Sequence, residues 1–276
     1  VTKPQRAIPG GSGTGANSVY LFHASEGYKA GTEAQASGTG TSIFDPVLCE
    51  LIYRWFCPLG GQVLDPFAGG SVRGIVAARL GYHYTGIDLR PEQIAANVAQ
   101  AQELCREQMP RWIVGDSLQV VTLAPGAYDL VFSCPPYADL ERYSDDPHDI
   151  STMDAETFTE MYRRIIAATV GLLKPDRFAC FVVGDIRDAQ GYYRGLPALT
   201  CTAFAAAGAR LYNDAILVTA VGNLPIRVSG QFQGSRKLGK THQNVLIFCK
   251  GDWRKAVAAC GDVDMQGIEA ALEGLT

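Results

Sequence analysis

The chain has 276 residues, 47% of them hydrophobic and 19% charged, with a formal net charge of −4. Those values fit a soluble globular protein with an ample core, as one α/β domain with extensions or two small domains. No apolar run approaches the roughly 18 residues of a membrane span, and the opening residues lack the apolar stretch of a signal peptide. The eight cysteines include no C-x-x-C pair, which argues against a zinc site or a disulfide framework and for a reducing cytoplasm.

Residues 1–40 are rich in Gly, Ser, Thr and Ala and read as a linker or loosely packed arm. The chain begins with Val rather than Met, as a processed or excised chain would, and a further domain ahead of the arm is one expectation. Phe44, Leu48, Leu51, Ile52, Trp55 and Phe56 fall near one face of a helix, started by Asp45 and Pro46 and ended by 58–61. A short apolar strand over 62–64 follows and ends at Asp65. Pro66 stops it, Gly69 and Gly70 turn the chain, and a helix is predicted over 71–80. Strand, Gly-rich turn and helix make the layout of a nucleotide crevice beyond the carboxyl ends of strands. The turn lacks G-x-G-x-x-G and Gly-Lys-Ser/Thr, so a phosphate cradle is not expected.

The second strand, over 84–89, carries Asp88, in the window about 20 residues on where such folds place the carboxylate for ribose hydroxyls. Pro91 opens a helix to about residue 107, and 111–117 reads as a third strand ending at Asp116 and Ser117. The fourth, over 128–132, runs into Ser133-Cys134-Pro135-Pro136-Tyr137. An acid-rich loop leads to an amphipathic helix over 155–173 and an apolar strand over 178–183 that ends before Asp185. A helix over 196–208, a strand over 213–221, a basic loop over 222–244 and a closing strand over 245–249 complete the domain. Residues 252–276 read as a short helical tail. Alternation followed by two strands joined by a loop implies a mostly parallel sheet with one antiparallel member. Residues 215–251 hold no acid but include Arg227, Arg236, Lys237, Lys240 and Lys250, a face for an anionic partner.

Taken together, Asp65-Pro66-Phe67-Ala68-Gly69-Gly70, Gly86-Ile87-Asp88, Pro135-Pro136-Tyr137 and the final strand with its flanks at 242–251 resemble the DNA methyltransferases that modify exocyclic amino groups of adenine or cytosine. The likeness spans about 42–251. It implies the Rossmann-like class I methyltransferase fold, a seven-stranded, mostly parallel sheet with an antiparallel last strand and helices on both faces. It also implies S-adenosylmethionine as cofactor, double-stranded DNA with a flipped base as partner, and a role in bacterial or phage DNA modification, without metal or membrane. On this likeness Ser42, Phe44, Asp65, Pro66, Phe67, Ala68 and Gly69 line the methionine end of the cofactor. Asp88 and Leu89 take the ribose, and Asp116 and Ser117 the adenine edge; Asp116 also suits a cap. Tyr137 stacks on the extruded base.

An aromatic amino nitrogen is a poor nucleophile because its lone pair is delocalised, so a site helps by accepting hydrogen bonds from the NH₂ group. The family places Asp, Asn or Ser directly before Pro-Pro. Here that residue is Cys134, a poor acceptor. Either Ser133 reaches in, the Pro135 carbonyl carries the load, or the reaction differs. The alternative is cytosine carbon-5 methylation, with Cys134 as thiolate, Asp185 as the acid and Arg187 raising the thiolate fraction. A nucleic-acid binding module, or a methyltransferase for RNA or a small molecule, stays open as well. In every polynucleotide reading Arg227, Arg236, Lys237 and Lys240 contact phosphates, with Gln231, Phe232 and Gln233 available for bases.

Overall fold

The computed structural model describes residues 44–136, 146, 148–218 and 224–263; at 224–227 the description is of the backbone alone. Helix α1 (Pro46–Phe56) starts where the Asp45 side chain accepts from the amides of Val47 and Leu48 and Pro46 supplies a preset φ. Its buried stripe is Cys49, Ile52 and Tyr53, whereas Trp55 stays partly exposed. The parallel part follows in order: β1 (Gln62–Asp65), α2 (Val72–Arg79), β2 (His83–Asp88), α3 (Pro91–Leu104), β3 (Arg111–Val114), α4 (Val120–Leu123), β4 (Tyr128–Ser133), α5 (Ala155–Leu172) and β5 (Leu173–Val183). Then come α6 (Leu196–Ala206), β6 (Ala209–Val218), α7 (Leu224–Ser235), β7 (His242–Lys250) and α8 (Trp253–Cys260).

The sheet runs β3-β2-β1-β4-β5-β7-β6. β7 is antiparallel to both its neighbours, and every other pair with a common direction is parallel. This is the class I methyltransferase fold. The strand order reverses between β1 and β4, so their carboxyl tips flank the crevice where such sheets bind ligands. Two apolar layers cover the sheet. One holds Tyr162, Ile166, Phe181, Phe204 and Phe248 under α5 and α6. The other holds Tyr53, Ala77, Phe132, Phe178 and Ile247 under α1, α2 and α8.

Several boundaries differ from the sequence reading; the closing strand, for one, runs from His242 to Lys250 rather than over 245–249. β5 begins at Leu173 rather than at 178, because Leu173 pairs with Tyr128 before a register shift, and Asp176, with φ at 55°, absorbs the irregularity. The first of the last two strands is edge strand β6, which begins at Ala209 rather than at 213. The basic stretch expected as a loop contains helix α7, whose apolar residues are too few to give a periodic signal. Among the described residues no helix is long and apolar enough to cross a membrane.

Candidate active site

The tips of β1, β2, β3 and β4 carry the motif residues. Parallel pairing sets Asp65 beside Gly86 and Asp88 beside Val114, and Leu64 beside Val131 on the other flank. The turn from β1 into α2 therefore lies between the ends of β2 and β4. Gly86 is obligatory for this approach, because a side chain there would collide with Ala68 and with the Tyr84 ring.

The turn is held by side chains on every peptide. The Pro66 carbonyl accepts from Ser117 Oγ, those of Phe67 and Ala68 from Arg73 Nη2 at 2.7 and 2.9 Å, and that of Gly69 from Asn97 Nδ2 at 2.7 Å. On the donor side, the Ala68 amide bonds the Ile87 carbonyl at 2.9 Å and the Gly69 amide bonds Asp88 Oδ2 at 2.9 Å. Phe67 N–H is shared between Asp65 Oδ1 at 3.1 Å and Ser133 Oγ at 3.2 Å. Gly69, at φ 50°, and Gly70 have open space where a side chain would stand. A ligand can approach the backbone closely there.

Asp65 is wholly buried. Its Oδ2 accepts from Arg73 Nε and from the Tyr84 hydroxyl, both at 2.7 Å, and its Oδ1 accepts from Ser133 Oγ at 2.5 Å. Burial alone would lower the Arg73 pKa, but the Asp65 carboxylate, in contact with it, holds the guanidinium above its ordinary value. Burial also drives the Tyr84 hydroxyl well above the usual tyrosine range, with the Asp65 charge adding to the shift, so Tyr84 stays a donor. Asp65 is thus committed to the protein's interior, and Ser133, equally buried, faces it.

Elsewhere Asp88 is partly exposed and accepts through Oδ1 from Arg90 N at 2.9 Å and Arg90 Nε at 3.3 Å. A carboxylate offers about four lone-pair sites, so Asp88 retains capacity for a hydroxyl. Leu89 beside it is half-buried. Asp116 caps the short 3-10 turn through Leu118 N at 2.8 Å, the cap reading, while its other oxygen remains available. Phe67 stacks on Tyr162 at 6.2 Å and meets Phe181 edge-on at 6.4 Å. Phe44 lies over the Arg73 guanidinium at 4.6 Å and against Phe132.

Beyond β4, Cys134 and Pro136 are half-buried and Pro135 is buried, and Cys134 touches both apolar layers. Among the described residues, Arg73 is a cation whose charge interacts with the thiol. Arg187, assigned that task from sequence, donates to the Gly191 carbonyl at 2.8 Å and lies over the Tyr193 ring at 3.9 Å. Asp185 caps α6, its Oδ1 accepting from Gly195 N at 2.9 Å and Leu196 N at 3.3 Å. Ser42 and Tyr137 lie outside the described residues.

No protein-family model and no curated protein matches this sequence. Solved structures do. The cyclase SpnF shares 15% identity over 75% of this chain and 81% of its own, with a TM-score of 0.52. TrmN from Thermus thermophilus shares 17% over 75% of this chain, with a TM-score of 0.49; the match spans only 49% of its length. The magnesium protoporphyrin IX methyltransferase ChlM of Synechocystis PCC 6803, crystallised with bound SAM, shares 14% over 74% of this chain and 76% of its own, with a TM-score of 0.45. The likeness is one of fold.

The basic segment is less uniform than its sequence. Arg236 is exposed, with φ at 57°, and lies over Phe232 at 5.1 Å. Lys237 and Lys240 are half-buried, and the end of the Lys237 side chain lies over Gly191. Lys250 is structural, donating to the carbonyls of Val170 and Leu173. The side chain of Arg227 lies outside the described residues. Sequence reasoning missed Arg73, Tyr84 and Asn97. The available signal was polarity out of place, since Arg73 and Asn97 interrupt the buried faces of α2 and α3.

Proposed function

We propose that this protein transfers a methyl group from S-adenosylmethionine to an exocyclic amino group of a nucleobase, in double-stranded DNA with the base turned out of the helix. The observation that carries the reading is the open space over Gly69 and Gly70 at the strand tips, with Asp88 on one side and the Cys134-Pro135-Pro136 segment on the other. The residues present fit the donor. Asp88 has capacity for ribose hydroxyls, Asp116 has an oxygen that no described residue engages and that suits the adenine amine, and the glycines admit the methionine portion. When bound, S-adenosylmethionine supplies an electrophilic methyl on a sulfonium sulfur.

The protein's own residues orient the acceptor. Ser133 gives its hydrogen to Asp65, so the acceptor beside the amino group falls to backbone carbonyls of the Cys134–Pro135 stretch. Such a carbonyl localises the nitrogen lone pair by accepting from the NH₂ group, and Tyr137 supplies the stacking face of the motif. The carbon-5 route would need Cys134 as thiolate, with Arg73 as a cation that interacts with it.

The DNA target rests on the motif resemblance. A second reading, an RNA or small-molecule acceptor, is favoured by the shortness of the basic segment, from which Lys250 is withdrawn by the carbonyls of Val170 and Leu173. The test incubates the full chain with labelled S-adenosylmethionine and duplex DNA, single-stranded DNA, structured RNA or nucleosides, followed by mass analysis of the products. A methylated amino group from duplex DNA supports the main reading. Label in RNA or free nucleosides alone transfers the assignment to the second, and no transfer to any acceptor removes both.

A further inference from the structure

We infer that Arg73 is a positioning residue for the methyl-donor turn and sets its distance from the acceptor segment, an inference that rests on the reading above. Arg73 stands in the first turn of α2, where the helix dipole disfavours a positive charge, so helix stability does not account for it. Its side chain is 5% exposed and therefore meets no polynucleotide. What it does touch is the turn. One fork reaches Asp65 Oδ2 at 2.7 Å, the Phe67 carbonyl at 2.7 Å and the Ala68 carbonyl at 2.9 Å, a planar set of bonds an ammonium cannot reproduce.

Drawing these carbonyls inward fixes the two peptide planes that follow them. The Ala68 and Gly69 amides are thereby aimed at Ile87 O and Asp88 Oδ2. Without that clamp two adjacent glycines would leave the turn many conformations, and donor binding would have to order them. The second limb runs through Asp65. Its other oxygen takes Ser133 Oγ at 2.5 Å, directly before Cys134-Pro135-Pro136. One chain of bonds, Ala68–Arg73–Asp65–Ser133, spans from the donor side to the acceptor side. The Arg73 backbone carbonyl accepts from the Tyr53 hydroxyl at 2.8 Å, which anchors the clamp on α1.

The experiment uses the full chain, with Arg73→Lys and Arg73→Gln, and with Lys174→Met as a control that breaks an ion pair remote from the turn. Hydrogen exchange of the peptide covering 66–71 reports the clamp in the free protein, and calorimetric titration with S-adenosylhomocysteine reports its consequence. For a folded Arg73 variant, exchange in 66–71 is expected to quicken and affinity to fall, each about tenfold or more, the worth of one charge-assisted bond. The control is expected to change neither. Unchanged exchange in 66–71, or unchanged affinity beside a binding parent chain, overturns the inference alone. No binding by the parent chain overturns the methyl-donor reading and the inference with it. If neither variant folds, Arg73 is a structural residue and the inference fails.

Discussion

Asp65→Asn tests whether the first motif acid is a structural partner or a cofactor ligand. In the protein four donors converge on its carboxylate, Arg73 Nε and Tyr84 OH on one oxygen, Ser133 Oγ and the Phe67 amide on the other. An amide keeps the shape but has one acceptor oxygen, so its NH₂ must point at two donors whichever way it is turned. It also leaves a buried guanidinium without a counter-charge, and Arg73 cannot escape by deprotonating, since an arginine keeps its proton in proteins. Removing one partner of such a pair costs about 3–5 kcal/mol. For a domain of this size that lowers Tm by roughly 6–20 °C. Differential scanning calorimetry at neutral pH, with and without S-adenosylhomocysteine, reads it. A cofactor ligand would instead show a near-normal Tm in the free protein and lose only the ligand-induced rise. A Tm drop under about 3 °C would refute the structural assignment.

Cys134→Ser separates the two chemistries: on the amino route methyl transfer stays within about tenfold of the parent in the labelled assay, whereas on the carbon-5 route it vanishes for want of a nucleophile. Asp185→Ala removes the α6 cap and should cost about 1 kcal/mol in chemical denaturation; loss of transfer with unchanged stability would instead restore Asp185 as a reacting acid. Although burial opposes it, the hydrogen bonds from Lys174, the Gln62 amide and Arg177 hold the Asp129 carboxyl below its ordinary value. A lowered folded pKa gives stability that is present above the unfolded value of about 4 and is lost as pH falls through the folded one. The stability gap between the parent and Asp129→Asn should therefore hold near neutrality and close in acid; a gap that persists below about pH 2 sinks the assignment. If Arg227, Arg236, Lys237 and Lys240 all contact phosphates, their joint replacement by Gln should flatten the salt dependence of duplex binding by about 3–4 in slope; an unchanged slope would place the polynucleotide elsewhere.

The sheet was legible because its signals are local and repeat. The run 178–183 is apolar throughout and 128–132 is apolar but for Asp129, as suits strands buried on both faces. Asp45-Pro46 and Pro91 mark helix starts by backbone chemistry that no tertiary contact has to supply. What escaped notice depends on neighbours. The extension of β5 back to Leu173 passes through Pro175 and Asp176, residues that signal a turn in isolation, and only pairing with Tyr128 and the antiparallel partner Lys250 makes them strand. Helix α7 was read as loop because an exposed helix with two glycines carries almost no apolar period.

The site was legible by position and only partly by role. Motif spacing delivers Asp65, Asp88, Asp116 and Ser133 to adjoining strand tips, as pairing between β1, β2, β3 and β4 requires. Yet an acid at a strand tip can face the crevice or the core, and the sequence around it does not say which. The deciding residue lies elsewhere in the chain. Arg73, in the first turn of the next helix, draws Asp65 inward, and the Ser133 hydroxyl donates to the carboxylate so turned. Among the described residues Asp88 pairs with the partly exposed Arg90 and with no buried cation, and so remains at the mouth. The division of labour among three similar carboxylates thus follows from where the one buried guanidinium among the described residues was placed. A chain with an apolar residue at position 73 would return Asp65 to the crevice, where a buried charge without a partner would have to seek the ligand instead.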